Sequence, residues 1–234
     1  MKEKKKGMKA VRKKKKRGKK IKRKREKKKE VTPDQIKQQN QRNKERLCRR
    51  KLLQHFRPGD YYLDLTCRKE DRPEDMKQMK DWMRKFTTAV RKEYKKAGAE
   101  MKWIRNIENT VGNAWHCHMV LNKVEGMDEV IRKAWPHGKV KIQLTYADGG
   151  FKDLAKYLTK GPDTNKGITE ACYSTSRNLP VPEPKKKELK RLPKNIKIPA
   201  GWYMDEYFEG INPYTGFKMV RYVLLRLRDE KKKT

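Results

Sequence analysis

The stretch Trp115-His-Cys-His-Met-Val120, WHCHMV, decides how this chain is read. It puts two histidines two residues apart inside an apolar run. Side chains alternate faces along a strand, so His116 and His118 would project to one side while Trp115, Cys117 and Met119 fill the other. An isolated HxH is more often a pair of structural histidines than a metal clamp, so its surroundings carry the argument. Upstream, Met101-Lys-Trp-Ile-Arg-Asn-Ile-Glu108 also has strand character, and Thr110-Val-Gly-Asn113 between the two is polar and turn-like. The pair is expected to form a hairpin in which Glu108 opposes His116. Two imidazoles and a carboxylate with open positions suit a catalytic divalent ion rather than a closed structural zinc. Taken alone, Glu108 reads as a solvated charge at a strand end.

Further along, Phe151-Lys-Asp-Leu-Ala-Lys-Tyr-Leu-Thr-Lys160 has helical character and stops at Gly161-Pro162. Tyr157 and Lys160 are three apart and share a face. A tyrosine beside a lysine can act as nucleophile on a phosphodiester, although most YxxK segments are a packed aromatic and a solvated lysine.

On the other side of the hairpin, Tyr61–Cys67 (YYLDLTC) alternates as a strand. Pro73 marks a helix start, with Glu74 and Asp75 in a first turn that suits the positive end of the helix dipole. Met76, Met79, Met83, Phe86, Val90 and Tyr94 then recur at three or four residues, the apolar stripe of a long amphipathic helix ending near Gly98. After the hairpin come a helix over Met127–Trp135, a break at Pro136-His137-Gly138 and a strand over Lys139–Tyr146. The order β α β β α β α predicts an α+β fold: a ferredoxin-like, RRM-like split βαβ antiparallel sheet with helices on one face and the WHCHMV strand in its middle.

The flanks read differently. Residues 1–56 are expected to be a basic, largely disordered tail and linker, with Thr32–Gln54 a linker or marginal helix, and the domain is placed at residues 57–162. Residues 163–234 read as an arm and a β-hairpin extension packing on the domain. Ala171–Asn178 is short and polar, Leu179–Pro184 is an extended proline segment before a lysine cluster, and Tyr207–Ile211 and Phe217–Leu225 flank a strong turn at Asn212–Gly216. Tyr214 and Phe217 could stack on bases, Phe217 more often packing.

The 234 residues carry a formal net charge of +36 with 34% hydrophobic residues, which suits one packed domain with a polyanionic partner. Residues 1–30 contribute +17 of that charge and the remainder +19, so the folded part is basic in its own right. A lysine run of this kind is a solvated tail that also binds nucleic-acid phosphates through counterion release. It mimics a nuclear localisation signal as well. No apolar stretch reaches the 18 or so residues of a membrane span and no secretory segment opens the chain, so a cytoplasmic protein, in a bacterial host cell, is expected. Cys48, Cys67, Cys117 and Cys172 form no CxxC pair, which argues against a zinc ribbon. No GxxxxGK[ST] loop occurs, so unwinding would fall to another protein.

These motifs together resemble the HUH-endonuclease superfamily, in particular the rolling-circle replication initiators of small phages and plasmids. Three motifs match in order between about Tyr61 and Lys160: the strand YYLDLTC, the pair His116 and His118 with Glu108 upstream, and YLTK at Tyr157–Lys160. Cys117 stands where the family carries a bulky hydrophobe. The single motif tyrosine differs from the two-tyrosine initiators; relaxases place the tyrosine before a three-histidine cluster, and single-strand transposases typically have glutamine where Lys160 stands. The resemblance implies that Glu108, His116 and His118 hold Mg²⁺ or Mn²⁺, that Tyr157 attacks single-stranded DNA at a replication origin to form a 5′-phosphotyrosine, that Lys160 assists, and that host helicase and polymerase follow. It also implies that the Tyr157 helix lies across the metal strand. The alternatives are an HUH transposase or a non-catalytic RRM-like RNA- or DNA-binding protein, though the RNP aromatic pattern is missing. An iron oxygenase fits the ligand types but not the charge.

Overall fold

The structure, a computed structural model, describes residues 30–146, 148–181, 183, 195–212 and 215–227. The basic tail, most of the proline and lysine segment and Tyr214 lie outside the described residues, which form four α-helices and seven strands.

Helix α1 (Pro33–His55) opens with a capping box: Thr32 accepts from the Gln35 backbone N–H, the Gln35 side chain accepts from the Thr32 N–H, and Pro33 occupies the first helical position. The segment expected as a linker or marginal helix is thus a 23-residue helix docked on the domain. It was hard to read because it is anchored by only three buried residues, Cys48, Arg49 and Leu52. Strand β1 (Tyr61–Thr66) follows, then helix α2 (Met76–Lys96). The helix begins after Asp75, whose carboxylate accepts from the Gln78 N–H at 2.7 Å, so Asp75 is the N-cap and Pro73 precedes the helix rather than starting it. Strands β2 (Trp103–Thr110) and β3 (Ala114–Leu121) form the hairpin, turning through Gly112 and Asn113 at φ 81° and 56°, where a glycine and an asparagine bear the left-handed backbone. Helix α3 (Met127–Ala134), strand β4 (Val140–Leu144), a 3₁₀ turn (Asp148–Phe151) and helix α4 (Lys152–Leu158) complete the expected series.

The sheet order is β4-β1-β3-β2 with every pair antiparallel, the split βαβ arrangement, and β3 is central as expected. A fifth strand, β5 (Ile168–Thr175), pairs with β2 at the edge. Ala171–Asn178 therefore belongs largely to the sheet and is not an arm. As an edge strand it is mostly half-exposed, which let its residues be polar and hid its period.

Two cores flank the sheet. One face buries Leu63, Leu65, Cys117 and Met119 against Met79, Met83, Phe86 and Val90 of α2 and Ile131 of α3. The other buries Ile104 and Val120 against Cys48 and Leu52 of α1 and Ala155 and Leu158 of α4. The two helices of the split βαβ unit share one face, but α1 and α4 cover the other, because β2 and β3 carry apolar side chains on both sides. Gly138 is required by a close approach: a Cβ there would lie 2.0 Å from the Thr66 carbonyl oxygen.

Strands β6 (Trp202–Ile211) and β7 (Lys218–Arg226) pair as the expected hairpin. It is tied to α1 by Arg49, which reaches Asp205 at 2.8 Å and Glu206 at 3.2 Å. No helix among the described residues is long and apolar enough to cross a membrane.

Candidate metal centre and tyrosine

Strand register builds the site. Glu108 pairs directly with His116 across the β2–β3 hairpin, and His118 pairs with Asn106 on one side and Asp64 on the other. Since alternate residues share a face, Tyr62, Asp64, Asn106, Glu108, His116 and His118 all lie on the side covered by α1 and α4. Glu108 and His118 are buried and His116 is half-buried.

The Glu108 carboxylate is the hub. Its Oε2 accepts from Lys160 Nζ at 3.0 Å and lies 3.5 Å from His116 Nε2, while its Oε1 accepts from Asn106 Nδ2 at 2.8 Å. Burial works toward the neutral acid, but the hydrogen bonds from His116 and Lys160 outweigh it and hold the carboxyl below its ordinary range. His118 is pushed the other way from protonation: desolvation first, with His116 and Lys160 adding to it, lowers its pKa to about 4 against the pull of Asp64 and Glu108. Its ring is a neutral ligand or acceptor at neutral pH.

Helix α4 carries Tyr157 into this cluster. The Tyr157 hydroxyl lies 2.8 Å from His118 Nε2. Lys160, just beyond the end of the helix, sits with Nζ 4.0 Å from the centre of the Tyr157 ring. Burial, with Glu108 nearby, pushes the Tyr157 phenol up to about 12. All five residues singled out in the sequence, Glu108, His116, His118, Tyr157 and Lys160, thus meet in one place.

Three further residues were missed. Tyr62 brings its hydroxyl within 3.0 Å of His118 Nδ1, Asp64 has Oδ1 3.6 Å from the same nitrogen, and Asn106 bridges Glu108 and the Lys160 carbonyl oxygen. The available signal was alternation: Tyr62 and Asp64 are the polar face of YYLDLTC, and Asn106 stands two residues before Glu108.

The donor atoms of Glu108, His116 and His118 all lie within 4.8 Å of one another. Asp64 Oδ1 and Asn106 Oδ1, on the same face, are buried without a hydrogen-bond partner, the kind of group that a cation or its water would satisfy. A borderline N/O set of this composition fits a divalent cation.

A split βαβ sheet with this cluster on its central hairpin and a tyrosine brought in by an appended helix is the arrangement of a replication initiator of the Rep class. Residues 60–162 match the family described as Replication-associated protein, ORF2 type, and this segment belongs to that family. No match was found among curated proteins or among solved structures.

Proposed function

We propose that this protein nicks and rejoins single-stranded DNA at a replication origin, initiating rolling-circle replication with Tyr157 as its single nucleophile. The observation that carries the proposal is the Tyr157 hydroxyl at 2.8 Å from His118, inside the Glu108, His116 and His118 cluster of a Rep-class domain. These three residues would hold Mg²⁺ or Mn²⁺, which as a Lewis acid polarises and orients the scissile phosphate.

The Tyr157 oxygen bonds to phosphorus and the 3′ oxygen leaves, giving a 5′-phosphotyrosine and a free 3′-hydroxyl. With its pKa raised, Tyr157 is a phenol at neutral pH and gives up its proton during attack, to the solvent that the half-exposed ring faces. The Lys160 ammonium beside the ring offsets the charge developing on that oxygen. The 3′-hydroxyl then primes a host polymerase while a host helicase unwinds the duplex, and the phosphotyrosyl bond retains the energy for rejoining without ATP. This activity belongs to the cytoplasm of a bacterial host cell. Coverage of the His118 face by α1 and α4 favours a closed site over an open RRM-like stacking platform, which is how that face would bind RNA.

The test is incubation with single-stranded oligonucleotides tiled across the DNA that flanks the coding region, with Mn²⁺, Mg²⁺ or EDTA, followed by a denaturing gel. A metal-dependent covalent adduct on one of them is expected. Adduct formation that persists in excess EDTA overturns the metal assignment, and the absence of adduct on every oligonucleotide overturns the nuclease.

A further inference from the structure

A groove of about 1080 Å³ runs between α1 and α4, with Tyr157 and Lys160 in its wall. It is of the size that binds ligands. One wall, α1, lies outside the family-matched residues 60–162, so this groove is an addition to the replication domain. The wall is held in place: Leu52 is fully buried, and the Gln41 amide reaches across to donate to the Thr159 carbonyl oxygen at 3.1 Å.

The chemistry of the lining is that of a nucleic-acid strand's partner. Lys37 and Lys44 on α1 and Lys156 on α4 line the groove, and none forms an ion pair among the described residues. Two of its acids are already engaged: Glu45 accepts from Gln41 at 3.0 Å and Asp163 pairs with Lys166 at 3.7 Å. The Asn40 amide lines the groove as well. Ile36, 44% exposed, offers an apolar surface between the lysines. Cations without acidic partners, spaced along an apolar and amide lining, suit a strand that presents phosphates on one edge and unpaired bases on the other.

We propose that the α1–α4 groove binds the single-stranded DNA segment adjoining the scissile phosphate, with Lys37, Asn40 and Lys44 as its contacts on α1. This rests on reading Tyr157 as the strand-cleaving residue, since Tyr157 is where the groove meets the metal cluster.

The experiment measures equilibrium binding in Tyr157→Phe protein, where strand cleavage plays no part. The probe is a fluorescein-labelled oligothymidylate about 16 nucleotides long, followed by anisotropy over a range of salt. Lys37→Gln with Lys44→Gln is compared with Lys77→Gln and Lys92→Gln, an equally charged pair exposed on α2. The groove pair should weaken binding about tenfold and reduce the slope of log K against log salt by about 1.4, while the α2 pair changes both far less. A 4-thiothymidine probe should photocrosslink to the peptide 33–55. Equal effects of the two pairs, or no crosslink to that peptide, overturn the groove. If wild-type protein never forms a DNA adduct yet the groove pair still loses affinity selectively, the nuclease reading fails and the binding site stands.

Discussion

The Tyr62 hydroxyl lies 3.0 Å from His118 Nδ1, and the two rings are stacked with centroids 6.1 Å apart and planes 10° from parallel. Tyr62 therefore fixes both the rotation and the hydrogen bonding of an imidazole whose other nitrogen faces Tyr157. Partners of this type orient metal-binding histidines, and losing one typically costs about 10–100-fold in affinity. Tyr62→Phe keeps the ring stack and removes only the hydroxyl. It should weaken Mn²⁺ binding by about tenfold in a calorimetric titration while the melting temperature barely moves. Unchanged affinity would show that packing alone positions His118.

Acidification should destabilise the metal-free protein through His118. Its folded pKa, about 4, is below the unfolded value near 6.5, so the folded state binds fewer protons in between. The contribution is present above pH 6.5 and is lost as pH falls toward 4, on the order of 2 kcal/mol. In the presence of EDTA, urea midpoints should fall between about pH 7 and pH 5, and His118→Gln should flatten that fall. A slope unaffected by the substitution would assign the pH dependence to other groups.

The hairpin was legible because two rules converge on it: alternation sets His116 and His118 on one face, and a short turn after Glu108 leaves it opposite His116. The α2 stripe was legible for the same reason, since Met79, Met83, Phe86, Val90 and Tyr94 are buried as their spacing implies. What escaped was whatever depends on tertiary contact. Helix α1 is predominantly polar and is held by Cys48 and Leu52 against α4 and the sheet, so its local pattern says little about where it docks. Strand β5 owes its place to β2, and an edge needs no continuous apolar period. Tyr62 and Asp64 were read as strand residues only, because their partner His118 lies on a strand more than fifty positions away.

Gly138 tests the junction between β1 and the loop before β4. Its missing side chain lets the chain pass against the backbone of Thr66 and Cys67, and neither backbone can yield as a flexible side chain would. Thr66 pairs with His116, so a displacement there reaches the metal strand. Gly138→Ala should lower stability by roughly 2 kcal/mol or more in denaturant unfolding and should broaden the His116 resonance in NMR spectra. A variant as stable as the parent would mean that the loop moves away freely.

The nucleophile is the last question, since other tyrosines lie close enough in sequence to compete. Tyr146 is 78% exposed just beyond the end of β4, while the Tyr173 hydroxyl is sealed from solvent and its pKa is raised by burial. Tyr157 alone among these three combines a half-exposed ring with an oxygen 2.8 Å from His118 and an ammonium over its face. Tyr157→Phe removes one atom and keeps the T-shaped ring contact with His118, so metal and DNA binding should persist while the denaturant-stable adduct disappears. Lys160→Ala should slow adduct formation by about 10²-fold without abolishing it, and should also leave Glu108 short of one of its hydrogen bonds. Peptide mapping of the wild-type adduct decides the assignment: a nucleotide on Tyr146, Tyr173 or Tyr62, or an adduct still formed by Tyr157→Phe, would move the chemistry to another residue.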